Sequence, residues 1–381
     1  MEINRDAIRA NVQAGQALSG PGNALVAVVK ANAYGHGAAS VARTCMAAGV
    51  RHFAVACLAE GLELRQAQVA GDIYTLSAFL PGEAAELVRA DLTPWVSSGE
   101  QLAALGQAAK QGAGNARCFL TIDTGMGREG CHSHEVQELW QQAERWNVPV
   151  AGIATHFSSA DEAGAQHITN AQTEAFTTAL DAVGIEALQG ANNGRSIWLS
   201  LCNSPATVCP PPTLRELDRF GPRGLLFRAG LLLYGIAPFA GAYANAAFRP
   251  ALSWHARITL VRDFPYGATI GYNRTHTLSR PARVATVATG YADGLPRRLS
   301  DTGYVLRNNQ RLPILGRVSM DQCQIDVTDA TPPVQIGDVV TLIGESGAER
   351  QSIWDIAAQI GTTPHEVPCL ITNRVPRVYT G

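Results

Sequence analysis

The sequence has almost no net charge. Its 30 Lys and Arg stand against 32 Asp and Glu, giving −2. That excludes the dense basic footprint that nucleic acid or an anionic lipid surface needs. No C-x-x-C pair is present, and the eight cysteines (Cys45, Cys57, Cys118, Cys131, Cys202, Cys209, Cys323, Cys369) are scattered. In a chain of 381 residues, long enough for a full core, this spacing argues against a zinc site or a disulfide framework. It fits a reduced, cytoplasmic protein. The opening MEINRDAIRANV lacks the apolar core of a signal peptide. There is no internal repeat and no low-complexity tract. The longest uncharged stretch, residues 229–248, raises the question of a membrane span. Gly230, Gly235, Pro238, Gly241 and Asn245 dilute it, and it reads as a buried barrel end plus linker.

Composition is ordinarily globular, at 46% hydrophobic and 16% charged residues, and the length predicts two domains. A first helix is expected over 6–18. Short β-branched or apolar runs follow at 25–29, 53–57, 73–76, 93–96, 117–122, 150–155, 197–201 and 226–228. Ala/Glu/Gln-rich stretches at 38–48, 59–69, 83–89, 99–111, 133–146 and 166–183 separate most of them. Strands alternating with helices in this way predict a (β/α)8 barrel over residues 1–237. The rival is a doubly wound open sheet, which would want a G-x-G-x-x-G turn after its first strand, and none is there. Pro94 would be unusual inside a central strand. Beyond Pro238 the runs at 254–262, 283–288, 303–307, 312–315, 323–327 and 339–343 are separated by turns. They predict a β-rich C-terminal domain over 238–381, with a late helix at 353–360.

Chemistry in a (β/α)8 barrel sits at the C-terminal ends of the strands, and phosphate binds after strands seven and eight. At these ends the sequence places Lys30, Arg128, His156, Asn203 with Ser204, and Arg228 with Gly230 and Leu231. Each has a plain structural reading. A lysine there is commonly a solvated strand end, a histidine a satisfied cap, a glycine-rich loop a turn, and Asn-Ser a helix start. Their convergence on one rim carries the functional reading. A lysine walled by apolar strands has a depressed pKa and attacks carbonyls. Ser204 and the amides near Gly230 suit a phosphate. Together they suggest pyridoxal phosphate held as a Schiff base; a sugar-phosphate aldolase would need the same two elements.

Residues 28–37 read VVKANAYGHG, and this segment resembles the cofactor-lysine signature of alanine racemases. The resemblance continues in order through DTGMGR (123–128), THF (155–157), Asn203-Ser204, RAGLLLYG (228–235), GATIGYNRT (267–275), GYADGLPRRL (290–299), GRVSMDQC (316–323) and RVPR (374–377). It implies a (β/α)8 barrel followed by a β-rich domain. It also implies a homodimer with shared active sites, pyridoxal 5′-phosphate as cofactor, and interconversion of L- and D-alanine for peptidoglycan.

Residue by residue, the resemblance implies that Lys30 binds the cofactor covalently and that Tyr34, Asn203, Ser204, Gly230 and Leu231 surround its phosphate. Arg228 would face the pyridine nitrogen, and Arg128 the phenolic oxygen and the substrate carboxylate. Tyr272 would be the second base, donated by the other subunit, with His156 in the network behind it. Tyr291 and Met320 would bind or gate substrate, and Asp321 would support that loop. No metal is implied. One base on each face racemises without turning the substrate. A free phenol, with a pKa of about 10, needs nearby cations to serve as a base. An arginine opposite the pyridine nitrogen offers only donors, which weakens the ring as an electron sink and limits side reactions.

The sequence departs from the family at two positions. Thr121 stands where a carbamylated lysine often orients the arginine of DTGMGR, and Asn373 replaces the tyrosine usually found before RVPR. Asn is smaller and both donates and accepts hydrogen bonds, which predicts serine, and larger amino acids, as additional substrates; the plain alternative is a neighbouring side chain that fills the gap with no effect on specificity. The alternatives are a non-catalytic pyridoxal-phosphate-binding protein, which would have the barrel alone, and a barrel lyase or decarboxylase.

Overall fold

The structure is a computed structural model that describes residues 1–194, 196–239 and 248–381. Gly241 and Asn245 of the uncharged stretch lie outside the described residues. The chain forms two compact units. One comprises Ala7–Ala33 and Ala38–Arg249, the other Met1–Asp6, Tyr34–Gly37 and Pro250–Gly381.

The first unit is built on runs such as ALVAV at Ala24–Val28, buried at all but its first position, and CFLTID at Cys118–Asp123, buried through its first five. Strands apolar on both faces are what a parallel sheet covered by helices requires. Ala24–Val28, His52–Val55, Asp72–Thr75, Leu92–Val96, Cys118–Asp123, Val150–Ala154, Trp198–Ser200 and Gly224–Ala229 pair side by side in that order, all parallel. The eighth returns to the first through Phe227↔Leu25 and Arg228↔Val26. The sheet therefore closes into the expected barrel. Pro94 sits in the middle of the fourth strand, opposite Thr75. Its ring removes one ladder donor, and pairing to the fifth strand begins one residue later at Trp95↔Phe119.

The intervening helices bury one stripe each. Val136–Trp146 buries Val136, Leu139, Trp140 and Ala143, and it stops at Asn147 in the left-handed region, where Asn is tolerated. Gly99–Lys110 starts at Ser98, whose hydroxyl accepts the Gln101 N–H. A helix at Ile185–Gly194 and a 3₁₀ segment at Pro212–Phe220 were not expected from the sequence. Among the described residues no helix is long and apolar enough to cross a membrane.

The second unit is a nine-stranded sheet in which Val339–Ser346 also pairs with the long strand Leu252–Phe264. Ile270, Leu278, Ala282, Val284 and Leu315 form one of its apolar clusters. The late helix is Ile353–Ile360, capped by Ser352 and Asp355 reciprocally and ended by Gly361. Two strands of three residues were too short to be read from pattern. Glu2–Asn4 lies antiparallel to Leu252–Phe264 and parallel to Val378–Thr380. That pairing is why the first residues belong to this unit. Gly35 is in this unit too. A Cβ there would meet the Pro368 carbonyl oxygen at 2.2 Å, so only glycine fits.

Candidate active site

Lys30 follows the first barrel strand. The next three residues, Ala31, Asn32 and Ala33, all lie in the left-handed region with φ of 51, 53 and 55°. For residues other than glycine this costs roughly 1–2 kcal/mol each, so the turn persists only because other bonds hold it. The Ala33 N–H donates to the Val29 carbonyl at 2.8 Å. The Ala38 N–H donates to Asn32 Oδ1 at 2.8 Å, and the Ala31 N–H to Glu60 Oε1 at 2.7 Å. The pKa of Lys30 falls below its ordinary value, first because of burial and then because of Arg128. Arg228 adds to this, while Glu60 and Glu129 oppose it. Such an amine is more often neutral, the form that attacks a carbonyl.

Strands seven and eight bring a second group together. Asn203 caps the short helix that opens at Ser204, accepting the Ala206 N–H. The Ser204 hydroxyl is buried and accepts from the Gly230 N–H at 2.9 Å and the Leu232 N–H at 3.4 Å. Two amides of one loop thus converge on a single serine oxygen. Leu231, named from the sequence, lies between them.

Arg228 is 4% exposed and finds only neutral acceptors. It donates to Ser200 Oγ at 2.6 Å, to the Thr155 carbonyl at 3.0 Å, to His156 Nδ1 at 2.9 Å and to the Leu201 carbonyl at 3.1 Å. Its guanidinium also lies 5.1 Å from the centre of the Trp95 ring. Burial lowers its pKa to about 10, which leaves it cationic at neutral pH. Gln172 supports the neighbouring loop, donating to the His156 carbonyl at 3.0 Å and to Thr124 Oγ1 at 3.2 Å.

The Arg128 loop is shaped by Asp123. Burial pushes the Asp123 carboxyl up, but the N–H groups of Gly125, Gly127 and Met126 outweigh it and hold the pKa below the usual range. Arg128 is exposed and makes no hydrogen bond or ion pair among the described residues. It lines a small pocket with Trp95, Thr121, Met126 and His156. The Thr121 hydroxyl is buried there without a hydrogen-bond partner, so it does not orient Arg128.

The remaining sequence-predicted residues lie in the β-rich unit. Tyr34 shares a carbonyl contact of 2.8 Å with His36 Nδ1, and its ring centre is 6.3 Å from that of His365. Tyr272 is 68% exposed and opens a 3₁₀ turn whose Asn273 and Arg274 have positive φ. Tyr291, Met320 and Asp321 are brought together. The Tyr291 N–H donates to the Ser319 carbonyl, and the Ala292 N–H to the Met320 carbonyl, each at 3.0 Å. Arg374 ties this loop pair with ion pairs to Asp293 at 3.2 Å and Asp321 at 2.9 Å. Asn373, beside it, is exposed and makes no hydrogen bond among the described residues. Sequence reasoning missed Glu60, Ser200, Asp293 and Gln172. Glu60 stands third in its helix, where a capping carboxylate is expected; Ser200, in a buried strand, carries no signal.

A closed barrel with a pKa-depressed lysine after strand one, and amides gathered at a serine after strand seven, defines a lysine-dependent enzyme acting with a phosphate-bearing ligand. Comparison with known proteins gives the family. The alanine racemase N-terminal domain matches residues 3–238 and the alanine racemase C-terminal domain residues 251–379. The alanine racemase of Halothermothrix orenii is 36% identical over 99% of this chain and 96% of its own. That of Symbiobacterium thermophilum is 35% identical over 100% and 96%. The crystal structure of alanine racemase from D-cycloserine producing Streptomyces lavendulae superposes with a TM-score of 0.89 at 34% identity, covering 100% of this chain and 96% of that one. The alanine racemase of Bartonella henselae, described with covalently bound pyridoxal phosphate, gives a TM-score of 0.85 at 27% identity, covering 100% and 98%. The chain belongs to the alanine racemase family.

Proposed function

We propose that this chain is a pyridoxal phosphate-dependent racemase that interconverts L- and D-alanine with two bases, and that it also accepts serine. Ala7–Ala33 with Ala38–Arg249 serve as the cofactor barrel, and Met1–Asp6, Tyr34–Gly37 and Pro250–Gly381 as the β-rich domain. The observation that carries the reading is Arg228, a buried cation bonded only to neutral acceptors, facing the mouth that holds Lys30 and Ser204. A lyase or decarboxylase that needs a strong electron sink calls for an acid at that place, and a non-catalytic binder has no use for the β-rich domain.

The residues fit the cofactor. Ser204 and the loop amides offer donors for a phosphate, Lys30 an amine disposed to attack an aldehyde, and Arg228 a donor for a ring nitrogen. Tyr34, Asn203, Gly230 and Leu231 complete the set. When bound, the cofactor supplies an electron-withdrawing ring that acidifies the substrate α-C–H. Arg128 holds the substrate carboxylate. Lys30 takes or gives the proton on one face, and Tyr272, from a second copy of the chain, does so on the other. His156 and Arg228 form the network behind them. Tyr291, Met320 and Asp321 bound the substrate, and Asn373 leaves room and a polar group for a hydroxymethyl side chain. The chain works as a cytoplasmic homodimer.

The test is incubation of purified protein and cofactor with L-Ala, L-Ser and L-Lys, quantifying both enantiomers over time. L-Ala is expected to approach an equal mixture fastest and L-Ser measurably. Absence of D-Ala would overturn the reading.

A further inference from the structure

Glu60 lies at the start of the helix Leu58–Gln66, after the second barrel strand. One carboxylate oxygen accepts the Ala31 N–H at 2.7 Å and the other accepts the Ala56 N–H at 2.7 Å. The first of these amides belongs to the left-handed turn directly after Lys30, and the second follows the neighbouring strand. A carboxylate accepts such bonds strongly because it is charged. Each oxygen holds a different segment, so neither bond is a spare.

We propose that Glu60 is a positioning residue for Lys30: its carboxylate ties the turn that aims the lysine to the next strand of the barrel. The inference deepens the function proposed above and rests on Lys30 being its reactive amine. The groups that act electrostatically on that amine are Arg128, Glu60, Arg228 and Glu129. Of these, Glu60 alone is also bonded to the lysine's own turn. It therefore does two things, fixing geometry and moderating the two arginines.

The sequence allows the two effects to be separated, because it holds only two lysines, Lys30 and Lys110. Lys110 is exposed on another helix, over Trp146. In the full chain carrying Lys110→Arg and stripped of cofactor, Lys30 is the sole lysine. Its acylation by an amine-reactive reagent is followed by mass spectrometry as a function of pH. Hydrogen exchange at the Ala31 and Ala56 amides is followed in the same protein.

Glu60→Gln keeps one carbonyl oxygen and loses the charge. Exchange of at least one of the two amides is expected to rise about tenfold, and the acylation midpoint to move to lower pH, since the moderating anion is gone. Glu60→Asp keeps the charge but is one methylene short. It is expected to restore the midpoint towards wild type without restoring protection at both amides. Wild-type exchange and midpoint in Glu60→Gln would overturn the proposal, and so would a Glu60→Asp midpoint equal to that of Glu60→Gln. Neither readout uses turnover. A chain that racemises nothing would sink the function above and leave this result standing.

Discussion

Arg228 and His156 share a hydrogen bond of 2.9 Å, guanidinium Nη2 to imidazole Nδ1. Arginine has no acceptor to offer, so Nδ1 is the accepting nitrogen and the imidazole proton sits on Nε2. The guanidinium thereby fixes the tautomer of the histidine. Lysine in place of Arg228 keeps the charge as a point with three donors, against four acceptors in the structure. Arg228→Lys is expected to leave at least one buried acceptor unpaired and to cost about 1–3 kcal/mol in urea unfolding.

Lys30→Ala removes the nucleophile. Borohydride treatment of the cofactor-loaded protein, followed by peptide mass mapping, is expected to find no covalent adduct, and racemisation is expected to fall by at least roughly 10²–10⁴-fold.

Tyr272→Phe deletes one oxygen from a residue that is 68% exposed, so folding and cofactor absorbance are expected to stay as in wild type. Solvent deuterium washing into each enantiomer separately checks the two-base assignment. Exchange from one enantiomer is expected to fall roughly 10²–10⁴-fold, while the other retains more. Equal loss in both directions would count against a base on each face.

Asn373→Tyr fills the space beside Arg374 and removes an amide. The ratio of serine to alanine turnover is expected to drop, with alanine turnover affected less. Measuring kcat/KM for both substrates in both proteins decides it.

Asp72 sits at the N-terminal end of the third strand, 3.3 Å from His52 Nδ1 and 3.4 Å from Arg117. The His52 hydrogen bond, acting against burial and helped by the charges of His52, Arg117 and Arg223, holds its pKa below the usual carboxylate value. A carboxyl with a depressed folded pKa contributes stability above its unfolded pKa, near 3.9, and loses it as pH falls through the folded value. Asp72→Asn is therefore expected to lower stability at neutral pH and to flatten its acid decline below about pH 4. Urea midpoints measured from pH 7 to pH 2.5 check this.

The barrel was legible because its strands are short, apolar on both faces and evenly spaced, a pattern that periodicity detects. The rim residues Lys30, Arg128, His156, Ser204 and Arg228 followed from knowing where such barrels keep their chemistry. What stayed hidden were partners whose only mark is geometry. Ser200 is one polar residue in a buried strand, yet it receives the shortest of the Arg228 bonds. Arg374 was legible within RVPR, but its pairing with Asp293 and Asp321 across separate loops was not. Glu2–Asn4 and Val378–Thr380 are too brief for any periodicity, and they became strands only through long-range pairing.

That last pairing orders events during synthesis. Glu2 sits opposite Val378, and Ile3 opposite Tyr379. Glu2–Asn4, made before the barrel strands, must wait for Val378–Thr380, made after them, before the edge of its sheet is finished. The eight barrel strands are all made between these moments. A nascent chain halted just short of residue 378 would hold every barrel strand and still lack the closing edge, so removing Val378–Thr380 is expected to harm the β-rich unit first.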